Sequence, residues 1–115
     1  MPSLWRPING PVESWPLALC DGRTVSPTSL IASERLRSTW SGGTTFVLHE
    51  EGNKWYFMSN QRNDEVAIFK NFDSKEDVAQ YAAHSSFELR SCYPQARPRE
   101  SIEVRAMVFT YPEHM

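Results

Sequence analysis

Cysteine is nearly absent from this sequence. Cys20 and Cys92 stand 72 positions apart and cannot form a disulfide framework. No apolar leader follows Met1, so the two thiols read as reduced packing residues of an intracellular, cytoplasmic protein. Long apolar runs are also missing: none approaches the roughly 20 residues that span a bilayer, so no membrane partner is expected. Charge of one sign is lacking too. A net charge of -2 gives no electrostatic reason for nucleic acid or an anionic surface as partner. There is no Gly-x-Ser-x-Gly elbow, P-loop or dinucleotide fingerprint, and neither cysteine has a base beside it in sequence. Those absences remove support for nucleophilic acyl transfer and for nucleotide chemistry.

What is present is a chain of 115 residues, 40% hydrophobic and 12% aromatic, which predicts one folded domain over residues 1–115 with a modest core. Three lysines against nine arginines favour fixed, bidentate ion contacts. Asn9-Gly10-Pro11 marks a turn, and Trp15–Cys20 reads as a short buried strand. Trp5 is a large aromatic with no partner strand upstream of it. Ser26-Pro27 is a helix cap and first position, opening a short helix that ends before Ser41-Gly42-Gly43. Thr44–Leu48 and Lys54–Met58 read as a hairpin around His49–Asn53, with Glu65–Phe69 as the next strand of a meander. Asp73 or Ser74 caps a second helix carrying Val78, Ala79 and Ala82 and ending near His84. The last strand spans Ile102–Tyr111. The fold class is therefore mainly β with one or two short helices.

Two constellations bear on chemistry. His49-x-Glu51 has the local spacing of two ligands of a 2-His-1-carboxylate iron site, with His84 as a distal third. The plainer alternative makes His49 and Glu51 solvated residues of a hairpin tip, and His84 a structural histidine. The second constellation is on the last strand. Period-two alternation puts Ile102, Val104, Ala106 and Val108 on one face, and Arg99, Ser101, Glu103 and Arg105 on the other. A guanidinium beside a hydroxyl suits a carboxylate. The same pattern also fits an outward polar face with Arg–Glu pairs.

Several segments resemble one enzyme group. Trp5-Arg6-Pro7-Ile8, the run Asn9–Asp21, Trp55–Gln61, Asp64-Glu65-Val66, Phe69–Ser74, Ala83-His84 and Ala96–Ala106 are similar to the hydroxylase/desaturases of secondary-metabolite clusters, which include gibberellin desaturase. That resemblance implies a double-stranded β-helix, or jelly roll, with Fe(II) and 2-oxoglutarate as cofactors and a small-molecule substrate to be hydroxylated or desaturated. It implies that His84 is the distal iron ligand and that Arg99 with Ser101 holds 2-oxoglutarate, with Arg105 as the alternative. The family's His-x-Asp pair lies upstream of the Trp-Arg-Pro segment, where this sequence begins, so the chain is expected to form the C-terminal part of the barrel. Sheet edges and Trp5 are then expected to be exposed and open to self-association. The competing expectation is an inactive remnant or binding module that keeps a carboxylate pocket.

Overall fold

The computed structural model describes residues 1–111, except the side chains of Arg35 and Trp40. Its first strand, β1 (Pro2–Pro7), alternates buried and exposed residues, with Ser3, Trp5 and Pro7 turned inward. β1 is the centre of a sheet, and its partners come from far along the chain. β6 (Ala67–Lys70) lies antiparallel on one side, with Ser3 opposite Phe69 and Trp5 opposite Ala67. β8 (Ser101–Arg105) lies antiparallel on the other, with Ser3 opposite Arg105, Trp5 opposite Glu103 and Pro7 opposite Ser101.

A second three-stranded sheet is centred on β2 (Leu17–Cys20), between β5 (Trp55–Phe57) and β7 (His84–Ser86). The two sheets face each other across a small core of Trp5, Val12 and Phe69, joined by Leu17, Leu19, Ala67 and Ala82. Trp5 is 4% exposed, and burying an aromatic of that kind contributes roughly 2–3 kcal/mol. β3 (Leu30–Arg37) and β4 (Trp40–Val47) form a hairpin that pairs with neither sheet. The accessible surface is 9383 Å², against roughly 6,400 Å² for a compact chain of this mass. Among the described residues no helix is long and apolar enough to cross a membrane.

Mainly antiparallel β structure forms as expected, but several elements differ. Trp5 does have partner strands, β6 and β8, and it is core rather than exposed. The cap at Ser26 forms, its hydroxyl accepting the Thr28 N–H with Pro27 in the first position. Only one 3-10 turn follows, Pro27–Ser29, before β3 begins. Pairing of β3 with β4 through the two-residue loop Ser38-Thr39 overrides the helical start. The expected hairpin between Thr44–Leu48 and Lys54–Met58 does not form, because β4 returns to β3 and β5 pairs with β2. The helix expected from Asp73 to His84 is replaced by turns. Asp73 caps locally, accepting the Lys75 N–H, but it also holds Lys70, whose ammonium donates to the Ala79 carbonyl. His84 accordingly opens a strand, β7, instead of closing a helix. The last strand stops at Arg105, where β1 runs out as its partner. Beyond it, the Ala106 N–H donates to the Pro2 carbonyl.

Candidate functional site

Register decides which side chains meet. Residues directly opposite in an antiparallel pair share a face, so Ser101, Glu103 and Arg105 share the face of Pro7, Trp5 and Ser3. That is the inner face, turned toward the second sheet. The apolar residues Ile102 and Val104 share the outer face with Leu4 and Ile68, and all four are exposed. The polar face of β8 therefore points inward. Its arginines pair with no carboxylate among the described residues, so the outward face with Arg–Glu pairs is not what forms.

Arg99 lies just before β8. Its guanidinium carbon sits 5.3 Å from the centre of the Trp5 ring, within cation–π range. Nη1 donates to the Ser101 hydroxyl at 2.6 Å. Nε is buried and has no hydrogen-bond partner. An unpartnered buried guanidinium N–H is costly, and a carboxylate placed against this edge would satisfy it. Arg105 lies two pleats further along the same face, opposite the fully buried Ser3. Arg105 is nevertheless exposed to solvent.

His84 reaches the same interior from the other sheet. It is paired opposite Leu19, a residue packed on the core, and its ring lies 4.4 Å from the ring of Phe69 on the first sheet. His84 Nδ1 is 2.9 Å from the Ala82 carbonyl. A carbonyl only accepts, so Nδ1 is the donor in this contact, and in the neutral ring that tautomer places the lone pair on Nε2. This is the arrangement by which backbone carbonyls orient metal-binding imidazoles. His49 and Glu51 are elsewhere, in the exposed loop between β4 and β5. Among the described residues no three His, Cys, Asp or Glu side chains converge on a metal position. The residues present thus fit a carboxylate at Arg99 and Ser101, and offer iron one imidazole but not a complete site.

Sequence reading missed the two aromatic surfaces on which these candidates rest, Trp5 under Arg99 and Phe69 beside His84. Pro2–Pro7 carries no apolar–polar alternation to signal the strand, since polar Ser3 turns inward and apolar Leu4 outward. The two cysteines are free, with Cys20 buried as a packing residue and Cys92 half-buried. A groove of about 410 Å³ lies on the opposite face of the second sheet, lined by Ala18, Trp55, Phe57, Ser85, Ser86 and Phe87. It is separate from His84.

The family model described as oxidoreductase/YMDC permease-like domain matches residues 2–109. The chain is 44% identical, over 93% of its length, to the Fe(II)/2-oxoglutarate-dependent dioxygenase nvfI of Aspergillus novofumigatus, and covers 39% of that protein. It is 33% identical, over 91% of its length, to the hydroxylase/desaturase efuI of Hormonema carpetanum, again covering 39% of the relative. The solved iron and alpha-ketoglutarate-dependent endoperoxidase NvfI superposes with a TM-score of 0.80 at 41% identity, over 89% of this chain and 38% of that one. The two facing sheets are therefore part of a double-stranded β-helix. The chain spans about two fifths of the length of these relatives. By its match over residues 2–109 it belongs to this oxidoreductase family, as a relative of the fungal hydroxylase/desaturases and Fe(II)/2-oxoglutarate-dependent dioxygenases.

Proposed function

We propose that this chain forms the cosubstrate-holding part of an Fe(II)- and 2-oxoglutarate-dependent oxygenase that hydroxylates or desaturates a small molecule in secondary-metabolite biosynthesis. The observation that carries this reading is the inward guanidinium of Arg99, with its Nε buried and unpartnered and its Nη1 on Ser101. Arg99 and Ser101 grip the remote carboxylate of 2-oxoglutarate, the guanidinium through paired N–H donors and the hydroxyl through a further hydrogen bond. Trp5 carries the cation on its face and keeps that side of it dry. Arg105, on the same face, is the alternative anchor. His84, with Nδ1–H held by Ala82, presents Nε2 as one iron ligand. A further imidazole and a carboxylate come from outside the described residues. When bound, iron supplies the activation of dioxygen that such oxidations need.

In this reading residues 1–115 act as one unit, the C-terminal portion of the barrel, in a cytoplasmic protein without nucleic-acid or membrane partners. The unpaired edges of β5, β6, β7 and β8 give it a route to self-association. One observation favours a second reading, a carboxylate-binding module without catalysis: no metal-ligand cluster exists among the described residues.

The test supplies purified protein with Fe(II) and 2-oxoglutarate and follows succinate, with His84→Ala alongside. Succinate release that His84→Ala abolishes is the expected result and excludes the binding module. Absence of both iron binding and succinate, also when a polypeptide carrying a His-x-Asp segment is added, overturns the enzyme reading. Release only with that added polypeptide identifies a divided enzyme.

A further inference from the structure

Arg97 is not part of the inner face, yet it makes more hydrogen bonds than any other arginine among the described residues. Its backbone N–H and its Nε both donate to Glu13 Oε2, at 2.8 and 3.1 Å. Its Nη1 donates to the Asn9 carbonyl at 2.7 Å and its Nη2 to the Pro11 carbonyl at 3.2 Å. Its own carbonyl accepts from the Ser14 hydroxyl at 2.8 Å. One side chain thus ties the turn Asn9–Ser14 to the loop that leads into β8.

Neighbouring residues fasten the same two segments. Asn9 Nδ2 donates to the Pro98 carbonyl at 2.9 Å, and the Glu100 N–H donates to Asn9 Oδ1 at 3.3 Å. The Ile8 N–H donates to the Glu100 carbonyl at 2.9 Å. The turn is shaped to receive the guanidinium. Gly10 has φ +92°, and a Cβ there would stand 3.1 Å from Arg97 Nη2, so both the backbone angle and the close approach select glycine. Glu13 is held ionised below its ordinary range, first by the Arg97 backbone N–H and then by the guanidinium. These contacts bracket Arg99 on both sides, at residues 97, 98 and 100, while Arg99 itself is left to reach Trp5 and Ser101.

We infer that Arg97 and Glu13 are positioning residues that hold the 97–101 loop against the Asn9–Ser14 turn and so aim Arg99 at its carboxylate ligand. The inference rests on the reading of Arg99 as the 2-oxoglutarate anchor. Arg97 does not touch the ligand and acts through the loop alone. Lysine does not replace it, because its three N–H donors leave a single nitrogen, whereas Glu13, Asn9 and Pro11 are reached here from Nε, Nη1 and Nη2 of a planar fork.

The experiment measures 2-oxoglutarate affinity of the full chain by calorimetry, for the wild type, Arg97→Gln, Arg97→Lys, Glu13→Gln, Arg99→Gln and the Arg97→Gln/Arg99→Gln pair. Backbone hydrogen exchange is followed on the same samples. Arg97→Gln is expected to weaken binding about tenfold, and Arg97→Lys not to restore it. The double variant is expected to stay within about twofold of Arg99→Gln, since a residue that acts only by aiming Arg99 loses its effect once Arg99 is gone. A merely structural role gives additive losses instead. Exchange at the Ile8 and Glu100 amides is expected to speed up, while the β1–β6 amides keep their protection. Glu13→Gln supplies the milder variant should Arg97→Gln fail to fold. Weak binding by Arg99→Gln with unchanged binding by Arg97→Gln and Glu13→Gln overturns the inference and spares the anchor. Unchanged binding by Arg99→Gln, or no binding by the wild type, overturns the anchor. Exchange then decides the clamp: faster exchange at Glu100 upholds it as the loop's restraint, and unchanged exchange ends it.

Discussion

The two faces of the β6-β1-β8 sheet reverse the usual order of a soluble sheet. A sheet of this kind normally turns its apolar face to the core and its polar face to water. Here the inner face carries Arg99, Ser101 and Arg105 around Trp5 and Phe69, and the outer face carries Leu4, Ile68, Ile102 and Val104 in solvent. The inner face is stabilised by two aromatics and holds polar groups free for a ligand. The outer face has apolar side chains with nothing packed on them among the described residues. If Arg99 and Ser101 hold the carboxylate as proposed, ligand binding and stability share one side of this sheet, while the apolar side chains of the other side stay in solvent.

The sharpest way to break that contrast is Trp5→Ala. It removes the largest part of the small core and the surface under Arg99, and is expected to cost about 3–5 kcal/mol in urea unfolding. A loss below 1 kcal/mol would show that the inner face is not the seat of stability. Substituting the outer residues, Ile102→Thr or Val104→Thr, is expected to change unfolding by no more than about 0.5 kcal/mol. The same changes should reduce self-association in sedimentation velocity, because they thin an exposed apolar patch. A large stability loss from either would mean that the outer face is covered after all.

The smallest effect is expected away from both faces, at Asp21. Its carboxyl accepts from the Arg23 side chain and backbone, which hold it down to about 2 from an ordinary 3.8. A carboxyl with a depressed folded value adds stability above its unfolded pKa and loses it as pH falls through the folded one. Asp21→Asn should therefore flatten the decline in melting temperature between about pH 4 and pH 2, slightly, since Arg23 is in solvent. An unchanged acid limb would exclude the pair as a contributor.

Which residues share a face was legible in the sequence, and which face lies inside was not. Alternation in Ser101–Arg105 groups Ser101, Glu103 and Arg105 correctly, but a period of two carries no sign. The sign comes from Trp5, opposite Glu103, some 98 positions away. The core role of Trp5 was hidden for the same reason, since both of its partner strands are remote. The helix from Asp73 failed differently. Its cap is real, but Lys70 draws Asp73 and the Ala79 carbonyl together across the segment in place of a helical ladder. His84 was a candidate from the sequence pattern and took its expected iron-ligand role from the resemblance, but its place on β7 could not be read from spacing.

The central position of β1 also governs when this fold can form. Pro2–Pro7 must wait for Ala67–Lys70 to make one side of the sheet and for Ser101–Arg105 to make the other. Pairings of such sequence separation are slow to close, because chain entropy is spent before any contact rewards it. On the ribosome, β1 is made before either partner and stays without its second one until Ser101–Arg105 has been synthesised. During that interval Trp5 is an exposed aromatic on an unpaired strand, which makes the growing chain, more than the finished one, the species that depends on chaperones.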